Sequence, residues 1–258
     1  MIDIGRAALL LIGHGSARNP QSRVPTLRLA DELRRRALFA EVQACFLKEP
    51  PLIGEALAGL AAPVVFAVPN LAGEGPLVRV DIPRLLGLGQ PSAEQDGRRV
   101  LYTRPVGSHP RIPELIRRRA ERLMAAEGLP PDQVGLLLVG HGSSRPGGAA
   151  TTAQAIAEAL RAMNAVGEVA LAYLEQPPLV GDWRDLSTAP NLIVAPLLIA
   201  EGLHGSEDIP PLFGLAPGES GPSRVDGRSV WLCRGIGADP EIADLILDRV
   251  RQRAAEPS

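Results

Sequence analysis

The sequence predicts an α/β fold in two tandem copies, each a four-stranded parallel sheet flanked by helices. Three observations predict it. Short apolar runs alternate with helix-periodic runs along the 258 residues, and alternating β and α units imply parallel strands joined by right-handed crossovers. Adding 127 to a residue number between His14 and Pro83 returns a matching feature, with no gap in the register. Nearly the same words, Leu-Ile-Gly-His-Gly-Ser and Leu-Val-Gly-His-Gly-Ser, end the first apolar run of each copy, at residues 11–16 and 138–143.

In the first copy, residues 7–12 are apolar throughout, as expected of a strand covered on both faces. Residues 24–38 follow with helical periodicity and Pro25 in the first turn, where a missing N–H is harmless. A second strand at 41–47, a short helix at 51–60 and a third strand at 64–69 come next. Residues 82–88 read as one or two helical turns, 99–103 as a fourth strand, and 112–126 as an Arg-rich amphipathic helix with a solvated charged face. Gly128-Leu129-Pro130-Pro131-Asp132 then breaks the chain, and the cycle restarts at Val134.

The repeat pairs His14 with His141, Ser16 with Ser143 and Arg18 with Arg145. It also pairs Pro50-Pro51-Leu52 with Pro177-Pro178-Leu179, and Asp81-Ile82-Pro83 with Asp208-Ile209-Pro210. After a three-residue slip, Asp96-Gly97-Arg98 matches Asp226-Gly227-Arg228. The expected domains are therefore 1–128 and 129–258, facing each other across a cleft by pseudo-twofold symmetry. Within each, strand order 2-1-3-4 is expected, which is flavodoxin-like. That order sets the loops after strands 1, 2 and 3 side by side at the topological switch point, where ligands bind in open α/β sheets.

Composition narrows the function classes. A formal net charge of −2 with 22% charged residues makes no global case for nucleic acid or an acidic membrane as partner. No apolar run approaches the roughly 18–20 residues that span a bilayer. Residues 1–11 lack a basic n-region and a small-residue cleavage site, so they do not read as a signal peptide. Cys45 and Cys233 lie far apart inside apparent strands and read as buried thiols, which makes a cytoplasmic location the expectation.

The chemistry lies where the copies disagree. His141 follows strand 1 of the second copy, Glu175 follows strand 2 and His204 follows strand 3. Two imidazoles and a carboxylate form a ligand set for a divalent transition metal, with positions left open for substrate. The first copy keeps His14 but has Lys48 for the glutamate and Leu77 for the second histidine. An ammonium repels a cation and leucine cannot ligate one, so a metal site is expected in the second copy alone. Glu49 could compensate only by a register shift. His14 would line the same cleft from the opposite domain. His109 corresponds to Asp239 and reads as a helix-start residue. The Gly-His-Gly-Ser turns lack the spacing of a phosphate loop, a dinucleotide fingerprint or a nucleophile elbow. Ser16 and Ser143 read as helix caps able to donate to an anion.

Three segments resemble the class II tetrapyrrole chelatases, the sirohydrochlorin cobaltochelatases and ferrochelatases of cobalamin and siroheme synthesis. They are the strand with its Gly-His-Gly-Ser turn, Tyr173-Leu174-Glu175-Gln176-Pro177-Pro178, and the run from Pro196 through His204 to Pro210. The resemblance covers nearly the whole chain, including the duplication. It implies two chelatase-like domains that bind metal and sirohydrochlorin in the cleft, with Co²⁺ favoured and Fe²⁺ next as the metal substrate. It implies metal-binding residues at His141, His204 and Glu175, and no organic cofactor. Leu77 departs from two-domain relatives that keep the histidine pair in the N-terminal half. The lack of a His-rich tail and of clustered cysteines argues against an iron–sulfur cluster.

In that setting His141 and His204 would hold the metal and accept the pyrrole protons, with Glu175 as accessory ligand or base. Ser143, Ser144 and Arg145 would meet substrate carboxylates at a helix N-terminus, with His14 and Ser16 opposite them. Gly202 and Gly205 would let a flat ring approach the backbone. Two other readings stay open on the residues: a non-catalytic metal or tetrapyrrole carrier, and an unrelated enzyme acting on a phosphorylated substrate. One chain already supplies both sides of a cleft, so a monomer suffices; a homodimer is the alternative.

Overall fold

The computed structural model describes residues 2–89, 92–95, 97–142, 150–199 and 207–256. Its first sheet contains β1 (Ala8–Gly13), β2 (Glu41–Phe46), β3 (Val64–Pro69), β4 (Ser92–Gln95) and β5 (Arg98–Tyr102), in the order β2-β1-β3-β5-β4. The second contains β6 (Val134–Gly140), β7 (Glu168–Tyr173), β8 (Asn191–Pro196), β9 (Ser223–Val225) and β10 (Arg228–Leu232), in the order β7-β6-β8-β10-β9. β1 and β6 are central and fully buried, in keeping with their unbroken apolar runs. The first four strands of each order pair in parallel, as expected.

The fifth strand of each sheet was not expected. β4 and β9 pair antiparallel with β5 and β10 and close the sheet edge. Each is three or four residues long, too short to show alternation. The signal lay in the repeated Asp-Gly dipeptide, a hairpin turn. Asp226 and Gly227 both have positive φ, 50° and 80°, as a type I′ turn between β9 and β10 requires.

The helices are α1 (Val24–Arg35), α2 (Ile53–Ala58), α3 (Ile82–Leu85), α4 (Ile112–Glu127), α5 (Ala150–Met163), α6 (Trp183–Leu186), α7 (Ile209–Leu212) and α8 (Ile242–Ala255). Thr26, Leu29, Ala30 and Leu33 form the buried stripe of α1; Ala153, Ile156, Ala157 and Leu160, at the equivalent positions, form that of α5. Glu41 receives the N–H groups of Ala61 and Ala62 at 3.0 and 2.8 Å. Its counterpart Glu168 receives Ser187 Oγ and Thr188 Oγ1, both at 2.7 Å. The duplication thus extends to single hydrogen-bonded ties.

The compact units differ from the linear halves 1–128 and 129–258. One comprises Met1–His109 with Gly237–Ser258, the other Pro110–Ile236. The two copies exchange their last helices: α8 belongs to the first unit and α4 to the second. In the first unit α8 packs on α1 and β3, and buried Arg249 donates to Pro105 O at 3.2 Å. In the second, α4 packs on α5, and Arg119 donates to Arg234 O at 2.7 Å. Arg119 and Arg249 correspond under the 130-residue offset, so equivalent arginines of the exchanged helices each hold the chain just after the last parallel strand, by neighbouring carbonyls. On the charged face of α4, Arg117 pairs with Glu114 at 2.7 Å and with Glu121, surface ion pairs within one helix.

Cys45 lies in β2, where burial pushes its thiol up to about 12. Cys233 follows β10; burial raises its thiol as well, partly opposed by the charge of Arg119. Among the described residues no helix is long and apolar enough to cross a membrane.

Candidate functional site

β6 lies between β7 and β8, so the chain leaves the carboxyl edge of the second sheet at three adjacent points. His141 is the first residue beyond β6 and Glu175 the second beyond β7. Main-chain hydrogen bonds join them. Leu174 N–H donates to Gly140 O at 3.1 Å and Glu175 N–H to His141 O at 3.0 Å. Gly142 makes the close turn possible. Its φ is 80°, and a Cβ there would lie 2.9 Å from Gln176 Cγ and 3.2 Å from Tyr173 Cβ.

The His141 side chain faces two acceptors through Nδ1: Gly142 O at 3.3 Å and Glu175 Oε2 at 3.6 Å. Two acceptors near one nitrogen favour the tautomer with the proton on Nδ1, the pattern in which a carboxylate or carbonyl orients a metal-binding imidazole. The side chains are 42% and 51% exposed, so both reach solvent-borne ligands. An imidazole lone pair beside a carboxylate can bind a divalent cation and can take up protons.

Of the expected site residues, the structure brings these two together. His204, Gly202 and Gly205, and Ser143, Ser144 and Arg145, lie outside the described residues. Among the described residues no three His, Cys, Asp or Glu side chains gather as a metal-binding group.

The first unit repeats the framework with different chemistry. Lys48 N–H donates to His14 O at 3.1 Å, as Glu175 does to His141. His14 Nδ1 lies 2.9 Å from Gly15 O. Where the second unit presents a carboxylate, the first presents the exposed ammonium of Lys48. Glu49 does not compensate. Its carboxylate is 11% exposed and faces inward, accepting the Ser16 N–H at 3.0 Å and pairing with Arg23 at 3.4 Å. Ser16 Oγ accepts the N–H groups of Arg18 and Asn19, both at 3.2 Å, so it caps the turn ahead of α1 rather than α1 itself. His109 is buried before α4; Asp239 accepts the Glu241 N–H at 2.9 Å just before α8, as a helix-start residue does.

The residues that inspection of motifs missed follow β3 and β5 of the first unit. Glu74 pairs there with Arg79 at 3.1 Å and with Arg104 at 2.5 Å. Arg79 corresponds to Ser206, and that difference between the copies was the available signal.

Known proteins extend these observations. The family model for CbiX matches residues 8–123 and again 135–253, once on each copy. A probable sirohydrochlorin cobaltochelatase of Halobacterium salinarum is 32% identical over 269 residues, spanning 96% of this chain and 92% of that protein. The sirohydrochlorin cobaltochelatase of Methanosarcina barkeri is 32% identical over 127 residues, 47% of this chain but 97% of its own length, so one copy here answers to a whole protein there. Among solved structures, the multi-domain protein DR2241 from Deinococcus radiodurans, described as structurally similar to chelatases, matches with a TM-score of 0.74 and 27% identity. The match covers 98% of this chain and 56% of that longer one. The fold is also that of the sirohydrochlorin chelatase SirB from Bacillus subtilis subspecies spizizenii in complex with cobalt, with a TM-score of 0.71, 21% identity, and 97% and 96% of the two chains covered. A family model matched on both copies, and a relative matched over nearly its whole length, make this chain a member of the CbiX family, the class II chelatases.

Proposed function

We propose that the protein is a sirohydrochlorin chelatase that inserts a divalent metal into the tetrapyrrole, Co²⁺ in preference to Fe²⁺, in cobalamin or siroheme biosynthesis. One observation carries the reading: His141 and Glu175 are tied together at the switch point of the second sheet, where the first sheet has His14 and Lys48. The duplicated scaffold therefore offers a divalent cation one favourable edge and one repulsive edge. Named relatives act on sirohydrochlorin, and the cobaltochelatases among them support Co²⁺. So does the intrinsic order of affinities, which ranks Co²⁺ above Fe²⁺ at imidazole sites.

In this mechanism His141, through Nε2, and His204 hold the incoming ion while positions remain open for pyrrole nitrogens. Insertion exchanges those ligands for four ring nitrogens and releases two N–H protons. The carboxylate of Glu175 orients His141 through Nδ1, offsets the charge of the ion as an accessory ligand, and accepts a proton. The imidazoles take up the other as the metal leaves them. Ser143, Ser144 and Arg145 hold substrate carboxylates, and Gly202 and Gly205 admit the flat ring.

The test follows sirohydrochlorin absorbance with Co²⁺ or Fe²⁺ for wild type and for His204→Ala. Wild-type turnover that the substitution abolishes is expected. Equal rates for the two proteins would remove the site assignment. Stoichiometric binding without turnover above the spontaneous rate would make the protein a carrier.

A further inference from the structure

The copies differ in charge as well as in metal ligands. At equivalent positions the second copy has Glu175 and Ser206 where the first has Lys48 and Arg79. Both copies have an arginine after the last core strand, Arg104 and Arg234. Lys48, Arg79 and Arg104 follow β2, β3 and β5, so all three stand at the carboxyl edge of one sheet. β2 and β5 are three strand spacings apart, roughly 14 Å. That breadth accommodates several acidic groups of one molecule.

The packing there is specific. Gly107 N–H donates to Leu71 O at 2.9 Å, and a Cβ on Gly107 would lie 2.2 Å from Ala72 O. This close approach brings the chain after β3 onto the chain after β5 and sets Glu74 against Arg104 and Ser108. Tyr102 Oη donates to Val78 O at 2.7 Å and fixes the turn that carries Arg79. Beneath them buried Arg249 donates to Ser108 Oγ at 3.0 Å.

One carboxylate, Glu74, therefore stands among three guanidinium groups. Burial, and after it the charge of Arg104, lower the Arg249 pKa to about 10 against the opposing pull of Glu74, so it stays charged at neutral pH. Glu74 is ionised too: burial raises its pKa, but hydrogen bonds and charge from Arg104 and Arg79 outweigh that and hold it below the usual range. The cluster keeps an excess of positive charge. Arg79 and Arg104 are 61% and 67% exposed, and each uses only part of its five N–H donors on Glu74. Lys48 makes no side-chain hydrogen bond or ion pair with the described residues and points its charge to solvent.

We propose that this edge of the first unit is a carboxylate-binding subsite, in which Arg79 and Arg104, braced by Glu74, and Lys48 bind the acidic side chains of a polycarboxylate substrate. The proposal rests on the chelatase reading, in which that substrate is the carboxylate-rich macrocycle. Arg79 and Arg104 offer planar forks suited to carboxylates, and Lys48 a point charge.

The experiment uses the full chain and measures KM for sirohydrochlorin, KM for Co²⁺ and kcat, alongside metal-free binding of the macrocycle by its absorbance. Loss of two charge-assisted contacts in Arg79→Gln/Arg104→Gln is expected to raise KM for the macrocycle about tenfold or more. KM for Co²⁺ and kcat should stay within about twofold, and the salt dependence of macrocycle binding should become shallower. Lys48→Gln, a change at an exposed residue that leaves folding intact, is expected to raise the same KM by about two- to fivefold. Arg104→Lys should restore part of the loss. Unchanged macrocycle KM and binding in both the double variant and Lys48→Gln would overturn the proposal. So would an equal loss for macrocycle and Co²⁺. A wild-type protein that neither binds nor metallates sirohydrochlorin would instead refute the chelatase reading.

Discussion

The two units are close copies in framework and differ in charge where the chain leaves β2 and β7, with Lys48 in one and Glu175 in the other. β1 and β6, the turns after them, and the hydrogen bonds from Lys48 and Glu175 to the histidine carbonyls are laid down alike. The side chains set on that framework are not: His141 with Glu175 in one unit, His14 with Lys48 in the other. The backbone geometry of a switch point therefore carries no chemistry of its own. It presents whatever residue stands first or second after the strand, and one substitution there replaces a group that attracts cations with one that attracts anions.

The strongest way to break this comparison is to remove the matched histidines. His141→Ala should cost roughly 10²-fold or more in metal insertion, as loss of a ligand and proton acceptor does. His14→Ala, read in the same absorbance assay, should stay within a few-fold, and equal effects would end the asymmetry. The comparison can also be sharpened by exchanging the side chains. Glu175→Lys gives the second unit the residue of the first and should weaken Co²⁺ binding by about 10- to 100-fold. Lys48→Glu with Leu77→His does the reverse, and calorimetric titration should then register a second equivalent of metal.

The helix exchange makes a prediction of its own. Ile246 of α8 is fully buried, and Ile246→Ala should destabilise by about 2–5 kcal/mol. Hydrogen exchange should show the loss in β1–β3 of the first unit and spare β6–β8. Ile116→Ala in α4 should do the opposite. If each substitution loosened the strands of its own linear half, the exchange would be wrong.

Smaller effects separate structure from function at the turns. Gly15 and Gly142 both have positive φ, 67° and 80°. Alanine at either should destabilise by about 1–3 kcal/mol in urea unfolding. Gly142→Ala presses on Gln176 and Tyr173 beside Glu175 and should also slow insertion; Gly15→Ala presses on Phe46 and Glu49 and should not. The smallest effect concerns acid. Glu74 has a folded pKa below its ordinary value, so its stabilisation is present above the unfolded pKa and is lost as pH falls through the folded one. Glu74→Gln should flatten the acid limb of the stability profile below about pH 4.5, by roughly 1 kcal/mol or less. Urea midpoints measured against pH check it.

Much of the molecule was legible in one dimension. The 127-residue register, the parallel order of the first four strands, and the loops that share an edge follow from apolar runs and repeated words, because strand burial and crossover handedness leave few alternatives. The divergence at Lys48 and Leu77 was legible for the same reason: a duplicated chain supplies its own reference. The sequence by itself determined where the copies part, with His141, Glu175 and His204 in one and His14, Lys48 and Leu77 at the equivalent places in the other. Tertiary structure decided the rest. It assigned α4 and α8 to exchanged units, because a helix goes where an apolar face is open, whichever half of the chain it comes from. It turned Glu49 inward to Ser16 and Arg23, faced the His141 Nδ1 toward two acceptors, and gathered Arg79, Arg104 and Arg249 around Glu74. Each of these depends on distances between groups far apart in the chain, and those distances exist only after the sheet and its helices have packed.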